Sequence, residues 1–175
     1  MKNSDQFVRL NKAIHERTTF DCGEVELNEF IQKHAAKHMD IRISTTMVLP
    51  AIDSLLNGKY PICAFFTITP GSIKRETLPE DLMKKLPYYP VPVFLIAQMA
   101  VHSECQGIGL GKITLVKTLE FLLNVNKYMR AYAVIVDCIN DDIAQFYSKY
   151  GFEILGYNAG RLRMYLPMKT VEQLF

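Results

Sequence analysis

The sequence has no run of about 18 or more apolar residues, so no transmembrane helix is expected. Its N-terminus, MKNSDQFVRL, lacks the apolar stretch of a signal peptide, and a cytoplasmic protein is the expectation. Charge of one sign is not in excess either. Twenty Lys and Arg against 18 Asp and Glu leave +2, where a dedicated nucleic-acid binder is strongly basic; only a local basic face stays open. The cysteines Cys22, Cys63, Cys105 and Cys138 are widely spaced and contain no C-x-x-C pair. A zinc site is thereby disfavoured, and four free, mostly buried thiols are expected. No His/Cys/carboxylate set has ligand spacing, so no metal is expected, and His15, His34 and His38 read as packing or polar-face residues. There is no internal repeat and no low-complexity tract.

What is present is the composition of an ordinary globular protein. Hydrophobic residues make up 49% and charged residues 22%, which excludes disorder as the main state. A length of 175 residues suits one domain spanning 1–175. Along the chain, Phe7 to Leu10 opens a first strand. Asp21 and Glu24 resemble a capping box before a helix over Val25 to Met39, whose apolar face carries Leu27, Ile31 and Ala35. Thr45 to Leu49 and Tyr60 to Thr69 read as a hairpin around the Asn57-Gly58 turn signal. Residues 71 to 90 are polar and punctuated by Pro79, Pro87 and Pro90, with a short helix near Leu82 to Leu86. Val93 to Val101 is nearly all apolar, as a central strand covered on both faces requires. A helix then runs to about Asn126 with Ile113, Val116, Leu119 and Leu123 on its apolar face. Ala131 to Ile139 forms a buried strand. Asp141 or Asp142 is placed to cap a helix to about Tyr150, which Gly151 ends. Two strands, Glu153 to Tyr157 and Arg161 to Met168, close the chain. This order predicts a mixed α/β sheet with helices on both faces.

The chemical signal lies between the central strand and the helix after it: Gln106-Gly107-Ile108-Gly109-Leu110-Gly111-Lys112. Glycines allow a tight turn with close backbone approach, and a helix N-terminus offers unpaired N–H donors and partial positive charge. Together they make a site for phosphate or pyrophosphate, to which Lys112 adds a charged contact. The spacing G-x-G-x-G is not the dinucleotide fingerprint G-x-G-x-x-G. Ile113 after Lys112 also departs from the phosphate loop of nucleotide triphosphatases.

Gln106-x-x-Gly109-x-Gly111 resembles the Q/R-x-x-G-x-G/A motif of the GCN5-related N-acetyltransferase (GNAT) family. Further segments occur in order: His15-Glu16-Arg17, Phe20-Asp21-Cys22-Gly23, Leu27-Asn28-Glu29-Phe30, Tyr89-Pro90-Val91-Pro92, Phe146-Tyr147-x-x-x-Gly151-Phe152 and Leu166-Pro167-Met168. With these, the chain resembles the acetyltransferase toxins of bacterial toxin–antitoxin modules. The resemblance implies a GNAT fold, with a mixed, mostly antiparallel central sheet splayed at the cofactor strand. It implies acetyl-CoA as cosubstrate, held by the backbone of Met99, Ala100 and Val101 and by Gln106, Gly107, Ile108, Gly109, Leu110, Gly111 and Lys112. It implies Tyr147 as the catalytic acid, the α-amino group of aminoacyl-tRNA as acceptor, a ribbon-helix-helix antitoxin as partner, and a homodimer.

The absence of Asp, Glu and His from Val93 to Val101 fits that acceptor. A lysine amine with a pKa of about 10.4 needs a base at neutral pH, whereas an α-amine near about 7.7 is already substantially neutral. Backbone N–H groups at Met99 to Val101 are the oxyanion candidates, and His102 and Glu104 are placed to act through water. Candidate RNA contacts are Lys74, Arg75, Lys84 and Lys85, then Arg161, Arg163 and Lys169, and Lys33, Lys37 and Arg42. The chain departs from the toxin pattern G-R-L-A-V-D, reading Ala97-Gln98-Met99-Ala100-Val101-His102. A small amine or a protein N-terminus is therefore an alternative acceptor, and a non-catalytic CoA-binding module is the alternative of another class.

Overall fold

The structure, a computed structural model, describes residues 1–175. They form two compact units: residues 1–69 with 98–118, and residues 70–97 with 119–175.

In the first unit, β3 (Thr45–Pro50) pairs antiparallel with β4 (Tyr60–Ile73), Thr45 opposite Ile68 and Leu49 opposite Ala64, so the expected hairpin forms. At the other edge of β3 lies the two-residue β1 (Val8–Arg9), within the expected strand. A second short strand, β2 (His15–Glu16), was not anticipated; it runs parallel to the start of β4. Two residues leave no periodicity to read. Side-chain bonds hold this bridge: Glu16 accepts from Thr18 N–H at 2.9 Å and from Asn57 Nδ2 at 3.1 Å. The early helix starts at Val25, as expected. It is built of α1 (Val25–Glu29), a π-helical turn over Phe30–His34 and α2 (Ala35–Asp40). Leu27, Ile31 and Ala35 are buried, as their spacing predicts. The capping box does not form. Glu24 is the N-cap and accepts no side-chain bond, and the Asp21 carboxylate is spent on Gly23 N–H and Asn28 Nδ2 instead.

In the second unit, the first residues of β5 (Val91–Val101) pair parallel with β6 (Ala133–Cys138). β6 is antiparallel to β8 (Arg161–Pro167), which is antiparallel to β7 (Glu153–Asn158). Val93 and Phe94, neighbours on opposite faces of β5, are both buried, as expected for a strand covered on both sides. Val91, Val93, Ala133, Ile135, Leu155 and Tyr165 form a core with Ile73 and Leu78. The short helix of the polar segment, α3, lies at Glu80–Met83, a turn earlier than its apolar residues suggest, because Pro79 supplies its entry. α5 (Asp141–Ser148) is capped by Asn140, whose Oδ1 accepts from Ile143 N–H at 2.9 Å; Asp141 and Asp142 fill its first turn instead. The chain closes in α6 (Met168–Glu172), where a strand end was expected.

α4 (Leu110–Asn126) has its own correction. Ile113 is 49% exposed, and the buried positions are Leu110, Thr114, Leu115, Thr118, Leu119, Leu122 and Asn126. The threonines can be buried because each hydroxyl donates to the carbonyl four residues back, Leu110 and Thr114, at 2.8 Å. Two polar letters on the inner face displaced the apolar stripe by about one position.

Candidate functional site

The predicted cofactor residues lie together in the first unit. Met99, Ala100 and Val101 end β5, and a 3-10 turn over Ser103–Cys105 leads to Gln106 and the glycines. Gly107 and Gly109 have φ of +78° and +83°. A Cβ built at either meets nothing within 4 Å, so the glycines are required by backbone conformation, not by crowding. Between them Ile108 is 69% exposed. Leu110 turns inward, buried with Leu49, Ala51, Cys63, Ala64 and Cys105. It anchors the start of α4, whose first N–H groups have no carbonyl four residues back within the helix. Lys112 is exposed on the first turn. Open space over two left-handed glycines, free first-turn amides and an exposed lysine suit the pyrophosphate of a coenzyme A thioester.

Gln106 is built in differently from its neighbours. Its Nε2 donates to the Cys22 carbonyl at 3.0 Å and to the Val101 carbonyl at 2.9 Å. It ties the loop down from behind. His102 is a structural residue as well. It is 8% exposed, its Nδ1 accepts Glu104 N–H at 3.2 Å, its own N–H donates to Cys63 O, and its ring stands edge-on to Phe20. With that nitrogen engaged in capping the turn, the role of a base acting through water is withdrawn. Glu104 is exposed and lies 3.5 Å from the terminal amine of Met1. Cys63 and Cys105 are buried beside one another, and burial pushes the Cys63 thiol up to about 12, so it stays protonated. Cys138 is buried too, while Cys22 is only partly so.

Tyr147 lies in the second unit, on the last turn of α5. It is 6% exposed. Phe146 and Phe152 stand against its ring at centroid distances of 5.3 and 5.1 Å, both edge-on. Phe152 N–H donates to the Tyr147 carbonyl, so the chain folds back over the same residue after Gly151. Desolvation raises the phenol's pKa above its ordinary value, and the neighbouring Cys138 thiol adds to the shift. The group is held neutral, with its proton on.

One expected RNA contact is engaged elsewhere. Arg163 is bound through Nε and Nη2 to both oxygens of Asp137, at 2.7 and 2.8 Å, in a half-buried fork across β6 and β8. The register, with Asp137 opposite Arg163, places the two together; the sequence holds no local sign of it. Lys33 pairs with Glu29, one helical turn back, at 2.8 Å. Arg75 lies 4.3 Å from the ring centre of the exposed Tyr88. A cavity of about 890 Å³ in the first unit, lined by residues including Arg9, His15, Pro50 and Tyr60, contains none of the predicted site residues. No group of three His, Cys, Asp or Glu side chains is placed to hold a metal ion, and no helix is long and apolar enough to cross a membrane.

No protein-family model matches the chain. Two curated relatives do. A tRNA-acetylating toxin of Mycobacterium tuberculosis is 27% identical over 138 residues, 78% of each chain. A probable toxin TacT of Sinorhizobium fredii is 25% identical over 91% of this chain and 89% of its own. Among solved structures, a tyrosine-to-phenylalanine mutant of KacT superposes over the whole of both chains with a TM-score of 0.87 at 24% identity. AtaT complexed with acetyl-methionyl-tRNAfMet does so with a TM-score of 0.84 at 23% identity, covering 97% of this chain and 98% of that one. A tyrosine-to-phenylalanine mutant of AtaT, bound to acetyl-CoA and the C-terminus of the antitoxin AtaR, has a TM-score of 0.80 at 18% identity over 97% of both. The chain has the GNAT fold of these solved toxins and is similar over most of its length to the two curated toxins.

Proposed function

We propose that this chain is a single-domain, acetyl-CoA-dependent N-acetyltransferase that acetylates the α-amino group of aminoacyl-tRNA, as the translation-blocking toxin of a toxin–antitoxin pair. The observation that carries the reading is the turn from Gln106 to Lys112, whose shape suits pyrophosphate, in a chain similar over most of its length to a protein named as a tRNA-acetylating toxin and to another named as a probable toxin. Acetyl-CoA supplies the activated acetyl group. Backbone N–H groups of Gly107 to Gly111, with Lys112, hold its pyrophosphate. Main-chain groups of Met99 to Val101 lie along its arm and receive the carbonyl oxygen as negative charge develops there.

The acceptor amine attacks the thioester carbonyl; a C–N bond forms, the C–S bond breaks, and the amine gives its proton to water. Tyr147 donates its phenolic hydrogen to the departing sulfur and recovers it from solvent. Its raised pKa makes complete proton transfer less favourable, so much of its effect comes as a hydrogen bond to the thiolate. With His102 Nδ1 engaged in the turn and no Asp, Glu or His within Val93 to Val101, the strand itself offers no base, which suits an α-amine that is already partly neutral.

An antitoxin partner follows from the same relatives. We take it to be of ribbon-helix-helix type, and the toxin to act as a cytoplasmic homodimer. A small amine or a protein N-terminus is the second reading, favoured by Gln98, by the net charge of +2 and by the commitment of Arg163 to Asp137. The test is transfer of label from acetyl-CoA to total charged tRNA, wild type beside Tyr147→Phe. Label in the aminoacyl-tRNA fraction, lost in the variant, is the expected result. Bound acetyl-CoA with no labelled tRNA would move the acceptor to the second reading.

A further inference from the structure

The segment Phe20 to Asn28 is a part of the sequence pattern to which the reaction gives no role. Its hydrogen bonds lead to the cofactor turn. The carbonyls of three consecutive residues are each taken by a different element. Phe20 O accepts from Gln32 Nε2 at 2.8 Å. Asp21 O accepts from Ser103 N–H at 2.8 Å. Cys22 O accepts from Gln106 Nε2 at 3.0 Å. The 3-10 turn that precedes the glycines is therefore fastened at its first residue, Ser103, and just past its last, at Gln106, to residues 21 and 22.

Asn28 gives those two residues their shape. From α1, its Nδ2 donates to Asp21 Oδ1 at 2.7 Å and its Oδ1 accepts Cys22 N–H at 2.8 Å, while Gly23 N–H donates to the same Asp21 oxygen at 2.9 Å. The helix itself does not need these bonds: Leu27, Ile31 and Ala35 dock it, and Glu24 begins it. Asn is also a weak helix former at such a position, so its selection points outward, to the turn it holds. We infer that Asn28 is a positioning residue for acetyl-CoA: through the Asp21–Cys22 turn it fixes the 3-10 turn at both ends, and with it the entry to the loop whose backbone cradles the pyrophosphate. The inference rests on the proposed function only for the identity of the ligand, not for the acceptor.

Acetyl-CoA affinity measured by titration calorimetry, without acceptor, is the test, paired with kcat and KM for acetyl-CoA. Asn28→Ala is expected to raise Kd and KM about 10-fold, the scale of one net hydrogen bond lost, with kcat within about two-fold. Gln106→Ala, which leaves α1 and the Asn28 bonds in place and removes only the donor to Cys22 O and Val101 O, is expected to raise Kd and KM from the other side. The two together are expected to cost no more than about the larger single effect, because they break one chain of contacts. Asn28→Asp sets two carboxylates against each other and is expected to bind at least as weakly as Asn28→Ala. The exchange Asp21→Asn with Asn28→Asp removes the clash of carboxylates and restores a donor between the two side chains, at the cost of the Gly23 N–H bond to the same atom, and is expected to recover part of the affinity. Wild-type affinity in both single variants, or an exchange as weak as Asn28→Asp, overturns the inference. So does a fall in kcat and thermal stability with KM unchanged, the mark of a structural role alone. Wild-type protein that binds no acetyl-CoA overturns the cofactor reading, and this inference with it; binding without transfer to tRNA leaves the inference standing and fails only the acceptor.

Discussion

The turn that opens α4 and the helix end that carries Tyr147 are built by opposite means. The turn presents main-chain groups. Its special residues are glycines at positive φ, it is open to solvent at Ile108, and polar side chains hold it from behind. Tyr147 presents one side chain from a dry setting, held by aromatic rings and by a chain reversal at Gly151. An anion site made of peptide groups depends on shape, whereas a proton donor made of one phenol depends on chemistry. Substitutions in the two regions should therefore damage different kinetic constants.

The largest effect expected is at the phenol. Tyr147→Phe keeps the ring and its packing and removes only the hydroxyl. Turnover should fall about 100-fold or more, with acetyl-CoA affinity and melting temperature nearly unchanged. Unchanged turnover would remove the hydroxyl from the reaction. Gly109→Ala should do the reverse. A Cβ there meets open space, so the damage comes from φ alone, and about 1–3 kcal/mol of strain corresponds to a loss of about 5- to 150-fold in acetyl-CoA affinity with kcat at saturation held. Equal affinity would mean that the turn does not touch the ligand in this conformation.

Outside both regions, Asp137→Ala should lower stability by about 1.5–3 kcal/mol, since it strands the half-buried Arg163. Arg163→Ala should leave the salt dependence of tRNA binding as it is. A logarithmic salt slope shallower by about one would instead mark a direct phosphate contact. The smallest effects are in pH. The folded-state pKa of Tyr147 is raised, so its contribution is whole below the ordinary tyrosine value of about 10. It is lost as pH climbs through that value toward the folded one. Tyr147→Phe should remove that alkaline loss, as thermal melts at increasing pH would read. His15 works the other way. Burial lowers its pKa, so its share of stability is present above the ordinary histidine value of about 6.5 and fades below it as the ring must charge. A flat acid limb in the melts would show that His15 is not the residue titrating.

Much of this was legible in the chain. Asn57-Gly58 marked the hairpin, the run from Val93 marked the strand covered on both faces, and the glycines after a strand marked the tight turn that opens α4, because each is a local rule expressed in local residues. The misses are of a different kind. The inner face of α4 was displaced because Thr114 and Thr118 hide their hydroxyls inside the helix, which no hydropathy pattern records. The Asp21–Glu24 capping box failed because a partner seven residues on, Asn28, competes for the same carboxylate. Arg163 was counted as a free cation because its partner lies 26 residues away, and only strand register joins them. Gln106 spends its amide hydrogens on carbonyls of residues 22 and 101, and the first of these lies 84 positions away, out of reach of any local pattern.

The main-chain character of the cradle bears on inheritance. A surface made of peptide groups has few side chains of its own at which one base change disarms it, so its glycines and the residues that hold it are the codons that matter. Survivors of growth arrest selected without an antitoxin should therefore carry changes concentrated at Gly107, Gly109 and Tyr147, beyond simple truncations, and sequencing a few hundred such clones would draw the map of the site.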